Sequence, residues 1–265
     1  MVIELKEQEL LRLMPAIRRA RDFHLYDTSG KRYLDLYQEG GRAWLGHRPD
    51  GLSLQLKNIL SRGVYAPYPG SEEGKLYKAL KALLMILPGS SEFSHIRYYS
   101  SVLGGGLPEA ADPLYSKADR KPGLCTLWRP GLQWPHDAIN VEMLIPLPGL
   151  AYGRVIASRD DSLPQGDLPS PVVAGGLARC VWVLKNCLET AAPVGELDLL
   201  EGAPWKQKGP YCLYTGNADN YKILFSKALS AGILLPPSLD SPCILPGHLT
   251  SGDVSLVKQF FGGLS

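Results

Sequence analysis

The residues of this chain that could do covalent or metal chemistry are scattered. Cys125, Cys180, Cys187, Cys212 and Cys243 are odd in number and nowhere form a Cys-x-x-Cys pair, and His24, His47, His95, His136 and His248 are equally dispersed. Metal and redox sites that can be read from sequence need ligands at short fixed spacings. No metal site is therefore expected, and the cysteines read as buried free thiols. One stretch has the glycines for anion binding. In "SSVLGGGLPEA", Ser100, Ser101, Gly104, Gly105 and Gly106 could turn backbone N–H groups toward an anion at a helix start. A flexible turn accounts for the same glycines, and Pro108 as an early helical residue suits both readings. A second stretch, "NVEMLIPLPGLAYGRVIAS" over residues 140–158, has the form of an active-site rim: a strand, a Pro/Gly turn and another strand. It carries neither lysine nor cysteine. Asp137, Glu142, Tyr152 and Arg154 could line a pocket there. Taken singly, Asp137 reads as a turn residue, Glu142 and Arg154 as solvated strand residues, and Tyr152 as packing.

The elements that must position these residues belong to a chain of 265 residues, 45% hydrophobic and 20% charged, as suits a soluble protein with one large domain or two smaller ones. Net charge is +2 and neither sign forms a long run, which argues against nucleic acid and against a polybasic membrane anchor. Apolar runs such as "LKALLMILPG" fall short of a membrane span, and the opening "MVIELKEQELLRLM" is charged and helix-like, unlike a signal peptide. A cytoplasmic location is expected.

Leu10, Leu11, Met14 and Ile17 lie at helical spacing within residues 4–20, and Pro15 should end or kink that helix. "FHLYDTSGKRYLDLY" alternates around Ser29 and Gly30, a hairpin pattern that turns Tyr26, Tyr33 and Leu36 inward. Leu76, Leu80, Leu83, Leu84 and Leu87 make one helical stripe, stopped by Pro88 and Gly89. "SHIRYYSS" reads as a strand. Residues 107–136 are proline-rich, with at most a short strand at "LCTLWR". A long helix with small residues on one side covers 172–190, and a loop runs to about residue 210. Then come strand "YCLYT", a helix ending at Gly232, strand "ILLPPS" and a last helix "DVSLVKQFFGGL".

In this order the segments resemble the class III aminotransferases of the fold type I pyridoxal-phosphate enzymes, closest to the glutamate-1-semialdehyde aminomutase branch. "FHLYDTSGKRYLDLYQEGGRAWLGHRPD" is similar to the family's N-terminal hairpin region, and "YAPYPGSEEGKLYKALKALLMILPGSSEFSHIRYYSS" to the helix and strand that lead to the phosphate loop. "CLYTGNADNYKILFSKALSAGILLPPSLDSPCILPGHLTSGDVSLVKQFFGGL" is similar to the small C-terminal domain. The resemblance implies an α/β fold: a reduced fold type I main domain with a mostly parallel sheet over residues 1–184, then a small α/β domain over 185–265. The N-terminal helix and hairpin should pack on the latter.

The family's lysine segment, whose amine holds pyridoxal phosphate as a Schiff base, is matched by residues 137–158, with Asp137, Gly149, Gly153, Ala157 and Ser158 keeping the frame. The lysine position falls on Met143 or Leu144, and no lysine occurs between Lys121 and Lys185. A thioether or isobutyl group cannot form a Schiff base. The family's aspartate motif for the pyridinium nitrogen has no counterpart, and the part of the domain that carries it is compressed into residues 101–136. The phosphate loop is met only loosely by residues 100–110. "GDLPSP" keeps Ser170 and Pro171 of the segment that reaches a neighbouring subunit's phosphate, without its threonine.

The resemblance thus implies a degenerate aminotransferase-like protein without covalent cofactor chemistry. No cofactor is expected, although non-covalent pyridoxal phosphate stays open. An enzyme of altered chemistry acting on pyridoxal phosphate or another phospho-ligand, and a scaffold or regulatory subunit, stay open beside it. Family members are dimers, so a homodimer or an aminotransferase-like partner is implied, with Tyr65, Tyr68 and an exposed Trp44 as aromatic anchors.

Overall fold

The computed structural model describes residues 9–100, 107, 109–115, 125–190 and 204–262. Two compact units divide the chain: residues 1–48 together with 192–265, and residues 49–191.

The first unit begins with a short helical turn at residues 9–11 and then, beyond Pro15, where the helix is expected to end or kink, strand β1 (Ile17–Arg21). Pro15 ends the helix, and beyond it β1 gains a ladder with β2 (His24–Asp27), pairing Arg19 with Tyr26. β2 turns through Gly30, whose φ of +90° suits glycine, into β3 (Arg32–Asp35) as the hairpin pattern requires. Tyr33 and Leu36 are buried, whereas Tyr26 is half-buried with the Arg19 guanidinium 4.3 Å above its ring.

The second unit opens with helix α1 (Leu52–Leu60), which no reading of the sequence marked, and helix α2 (Ser71–Leu84). Leu76, Leu80, Leu83 and Leu84 of α2 form the expected buried stripe. A five-stranded sheet follows, built from β4 (His95–Tyr99), β5 (Ala110–Ala111), β6 (Cys125–Trp128), β7 (Asn140–Met143) and β8 (Arg154–Ser158) in the order β4-β8-β7-β6-β5. β5/β6 and β6/β7 pair in parallel; β7/β8 and β8/β4 pair antiparallel. The sheet is mixed because residues 144–153 return β7 to β8 with no crossover helix. Helix α3 (Pro171–Thr190) packs on α1 and α2 and runs straight through the boundary expected at 184/185. Its small residues permit the approach: a Cβ on Gly175 would collide with Ile59, and one on Gly176 would sit 3.2 Å from Leu147. By length and composition alone α3 is apolar enough to cross a bilayer, longer than any run singled out in the sequence. Its buried residues, Ala174 to Leu184, are spent on this packing.

The C-terminal half of the first unit supplies β9 (Trp205–Lys208), β10 (Tyr211–Tyr214), α4 (Ala218–Ala231), β11 (Ile233–Leu234), β12 (Cys243–Ile244) and α5 (Ser251–Gly262). β9 lies where a loop is expected. β11 pairs in parallel with β3, so residues from both ends of the chain share a sheet and a core around Leu34, Leu36, Phe225 and Leu235. Burial of each such side chain stabilises the fold by about 1.5–3 kcal/mol. Asn217 caps α4 through the Asp219 N–H, and Gly232 ends it at φ +87°.

Candidate functional site

The carboxyl ends of parallel strands are where open α/β sheets gather functional groups, and β5, β6 and β7 end side by side. β7 ends at Met143, which is 1% exposed, and the Leu144 N–H extends the pairing by donating to the Trp128 carbonyl at 3.0 Å. Both candidate lysine positions therefore lie at the end of a central strand. Beyond them the chain is fastened by Tyr152: its hydroxyl donates to the Ile145 carbonyl at 2.7 Å and accepts the Ile145 N–H at 2.9 Å. Ile145, Leu147 and Tyr152 are buried, as are Trp128 and Trp134, whose rings lie 5.6 Å apart. The frame glycines have a backbone reason. Gly149 and Gly153 both have positive φ, and a Cβ on Gly153 would collide with the Tyr99 carbonyl oxygen.

The neighbouring strand β6 ends at Trp128, and Arg129 follows it. Arg129 is 8% exposed and is held by Asp112, just past β5, through Nε at 2.9 Å and Nη2 at 2.6 Å to the same carboxylate oxygen. One strand further in, Arg154 Nε donates to Glu142 Oε2 at 2.7 Å. Arg154 is 5% exposed, which corrects its reading as a solvated strand residue: cross-strand geometry places Glu142 beside it. Cys125 lies in the same neighbourhood, and burial pushes its thiol up to about 12.

Ser100, alone of the anion-loop candidates, is among the described residues; Ser101, Gly104, Gly105 and Gly106 lie outside them. The Ser100 N–H and hydroxyl both donate to Asp167 Oδ2, at 2.8 and 2.7 Å. The backbone N–H of Ser100, followed by its hydroxyl, holds the Asp167 carboxyl below its ordinary pKa. These two donors thus already serve an anion of the chain itself. Ser170 sits at the start of α3, where its carbonyl accepts the Ala174 N–H at 2.8 Å and its hydroxyl the Val173 N–H at 3.3 Å. Tyr65 and Tyr68 are exposed, at 56% and 66%, but Trp44 is buried at 9% and is no surface anchor. Among the described residues no three His, Cys, Asp or Glu side chains converge to hold a metal ion.

The first unit holds an arrangement that the sequence did not disclose. Gln38 and Glu39 are both left-handed, at φ +47° and +50°, ahead of Gly40 and Gly41. Asp35, 1% exposed, pins this turn by accepting the N–H groups of Tyr37 and Gln38 at 2.8 and 2.9 Å, and the His47 ring at 2.8 Å. Consecutive left-handed non-glycine residues persist only where their surroundings enforce them. The pair Gly40 and Gly41 was the one local hint. Asp253 is held in a comparable way by His24 at 3.0 Å and the Thr250 hydroxyl at 2.7 Å.

No protein-family model matches the chain. An uncharacterized protein of Treponema pallidum is 24% identical over 298 aligned residues, covering 92% of this chain and 93% of that one. A glutamate-1-semialdehyde 2,1-aminomutase of Clostridium acetobutylicum is 38% identical over 64 residues, which make up 24% of this chain and 15% of that enzyme, so this chain is the shorter. The acetylornithine aminotransferase of Elizabethkingia anophelis superposes with a TM-score of 0.67 at 13% identity, covering 99% of this chain and 98% of that chain. The fold is that of the class III aminotransferases, pyridoxal-phosphate enzymes of fold type I. The chain has 265 residues, and its strand β7 ends at Met143, with Leu144 following it.

Proposed function

We propose that this chain is a degenerate aminotransferase-like protein that performs no covalent pyridoxal-phosphate chemistry and is retained for assembly, regulation or ligand binding. The observation that carries the reading is the end of β7. Met143 is 1% exposed, Leu144 is bonded to Trp128, and the adjacent strand end offers Arg129, already engaged by Asp112. A covalently held cofactor needs an amine at the first place, and a carboxylate near the ring nitrogen keeps that ring an electron sink. The residues here do not fit that group.

The test is direct. Pyridoxal phosphate is added to the purified protein, the visible spectrum is recorded before and after borohydride, and the product is mapped by peptide mass. No defined lysine should carry a reduced adduct; a single stoichiometric site would overturn the reading.

The second reading is an enzyme of altered chemistry that holds pyridoxal phosphate or another phospho-ligand without a covalent bond. The buried guanidinium groups of Arg129 and Arg154 near the strand ends favour it. Their carboxylate partners Asp112 and Glu142 weigh against it. Equilibrium dialysis with pyridoxal phosphate separates the two readings, since saturable non-covalent binding supports the second.

Assembly as a homodimer belongs to the first reading. Leu54, Leu60, Val64, Tyr65 and Tyr68 are exposed on one unit, a concentration of apolar and aromatic surface suited to an interface. Light scattering on the chain and on Tyr65→Glu with Tyr68→Glu tests it: a dimer that the double variant splits supports the assembly, and a strict monomer overturns it. A cytoplasmic location is part of the same reading and rests on composition and on enzymes of like fold.

A further inference from the structure

Two of the five cysteines face each other. β10 and β12 run antiparallel, and their register sets Cys212 directly opposite Cys243. The Leu245 N–H, donating to the Pro210 carbonyl at 2.8 Å, carries that register past the end of β12. Both cysteines are buried, at 0% and 1% exposure, in the core that holds Phe225 and Leu235. Directly opposed residues of an antiparallel pair lie on one face of the sheet, with Cα atoms about 4.5–5.5 Å apart and Cβ atoms about as far. A disulfide needs Cα atoms about 4.4–6.8 Å apart and Cβ atoms about 3.5–4.5 Å apart. The Cα spacing of the register is therefore suitable, and the Cβ atoms need to close by only about 1 Å. β12 is two residues long, so a shift of that size disturbs no longer ladder. The two thiols also sense each other: burial, then Cys212, then the charge of Asp35 push the Cys243 thiol well above its ordinary pKa.

The other cysteines have no such geometry. Cys180 and Cys187 lie on α3 about 10 Å apart along the helix axis, beyond bonding reach of each other, and Cys125 stands opposite Ala110 and Asn140 on its neighbouring strands. We propose that Cys212 and Cys243 form a reversible thiol–disulfide pair, joined across β10 and β12 by a peroxide and reopened by a dithiol. Hydrogen peroxide oxidises one sulfur to a sulfenic acid and releases one water; the second sulfur displaces the hydroxyl group, which leaves as a second water with the remaining thiol proton. Two S–H bonds and one O–O bond break, and one S–S bond and two O–H bonds form. A dithiol reverses the step by exchange and is itself oxidised to a disulfide. Both thiols are protonated at rest, so the reaction waits on opening of the short β12 pairing. In a reducing compartment the dithiol is the resting form and the bond records an oxidant. Once closed, the bond spans residues 213–242, which include α4 and β11, and restricts the unfolded chain over that length. The pair lies in the first unit and does not depend on whether the chain carries out cofactor chemistry.

The experiment treats the reduced full chain, freed of reductant, with hydrogen peroxide. Trypsin digestion without reductant should then yield peptides 209–222 and 228–258 joined, lighter than their sum by two hydrogens, and dithiothreitol should separate them. The oxidised chain should unfold in urea at a midpoint about 1 M above that of the reduced chain. Cys212→Ala and Cys243→Ala should each abolish the joined peptide and the shift in midpoint. Cys187→Ala, which removes the half-buried thiol, should leave both in place. Circular dichroism confirms that each variant is folded, and the linkage itself is read on the native chain. No link once peroxide has oxidised Cys187, a link from either residue to a different cysteine, a link that forms only in urea, or a link that fails to raise the midpoint would overturn the proposal.

Discussion

His47 Nε2 lies 2.8 Å from Asp35 Oδ2, and the same carboxylate holds the backbone of Tyr37 and Gln38. Burial opposes charge on the ring, yet the hydrogen bond and charge of Asp35, with Glu39 3.9 Å from the other ring nitrogen, hold the His47 pKa above its ordinary value. A raised folded-state pKa contributes stability that is fully present below the unfolded value of about 6.5 and is lost as pH rises through the folded value. In urea unfolding, the advantage of the native chain over His47→Gln should therefore be largest below about pH 6 and should shrink at alkaline pH. An advantage that is constant with pH would show that the pair carries no proton linkage.

Met143 is a buried core residue. Met143→Ala should cost about 2–5 kcal/mol of unfolding free energy, the range for such truncations. Met143→Lys should destabilise the fold and still yield no borohydride-reducible adduct, because Arg129 stands at the next strand end. Formation of an adduct on that variant would show that one substitution separates this chain from cofactor binding.

The glycines of the same segment make a matched pair. Gly149 has positive φ with open space around it, and Gly153 has positive φ with the Tyr99 carbonyl in the way. Gly149→Ala should cost about 1 kcal/mol, the left-handed penalty alone. Gly153→Ala should cost distinctly more, and thermal melts of the two variants side by side check the order.

Asp112 is the carboxylate that compensates the buried Arg129. Asp112→Ala leaves that charge without it and should cost about 3 kcal/mol. Replacing both with a well-packed apolar pair should recover most of the loss, as denaturant midpoints of the single and double variants would show.

Cys125, Cys180, Cys212 and Cys243 are buried, and burial pushes the first three thiols up to about 12. A thiol-specific reagent should label Cys187 first under native conditions and all five only after unfolding. Rapid labelling of Cys125 would reveal an opening of the sheet near Arg154 and Glu142.

The legible part of this fold was whatever local pattern controls. The leucine stripe of α2, the β2–β3 hairpin, the Gly232 cap of α4 and the glycine frame of residues 140–158 depend on neighbours a few positions away, and their spacing survives in one dimension. The β1 ladder, β9 and α1 escaped notice because their partners decide them: β1 exists by pairing with β2, and β9 by pairing with β10. The same holds for the site. Met143 and Leu144 were singled out in sequence by the family resemblance, but the engagement of Arg129 by Asp112, of Arg154 by Glu142 and of Ser100 by Asp167 required strands and loops to meet.

By itself, then, the order of residues determined the α/β class and the family likeness, since each is a matter of residue type and spacing. Only the tertiary structure decided that residues 1–48 share a unit with 192–265, that Arg154 and Trp44 are buried, and that Asp35 enforces a left-handed turn at Gln38 and Glu39. Shared unit membership arises from contacts between segments far apart in the chain, and burial and charge pairing, even for Glu142 and Arg154, are fixed only once β7 and β8 lie side by side.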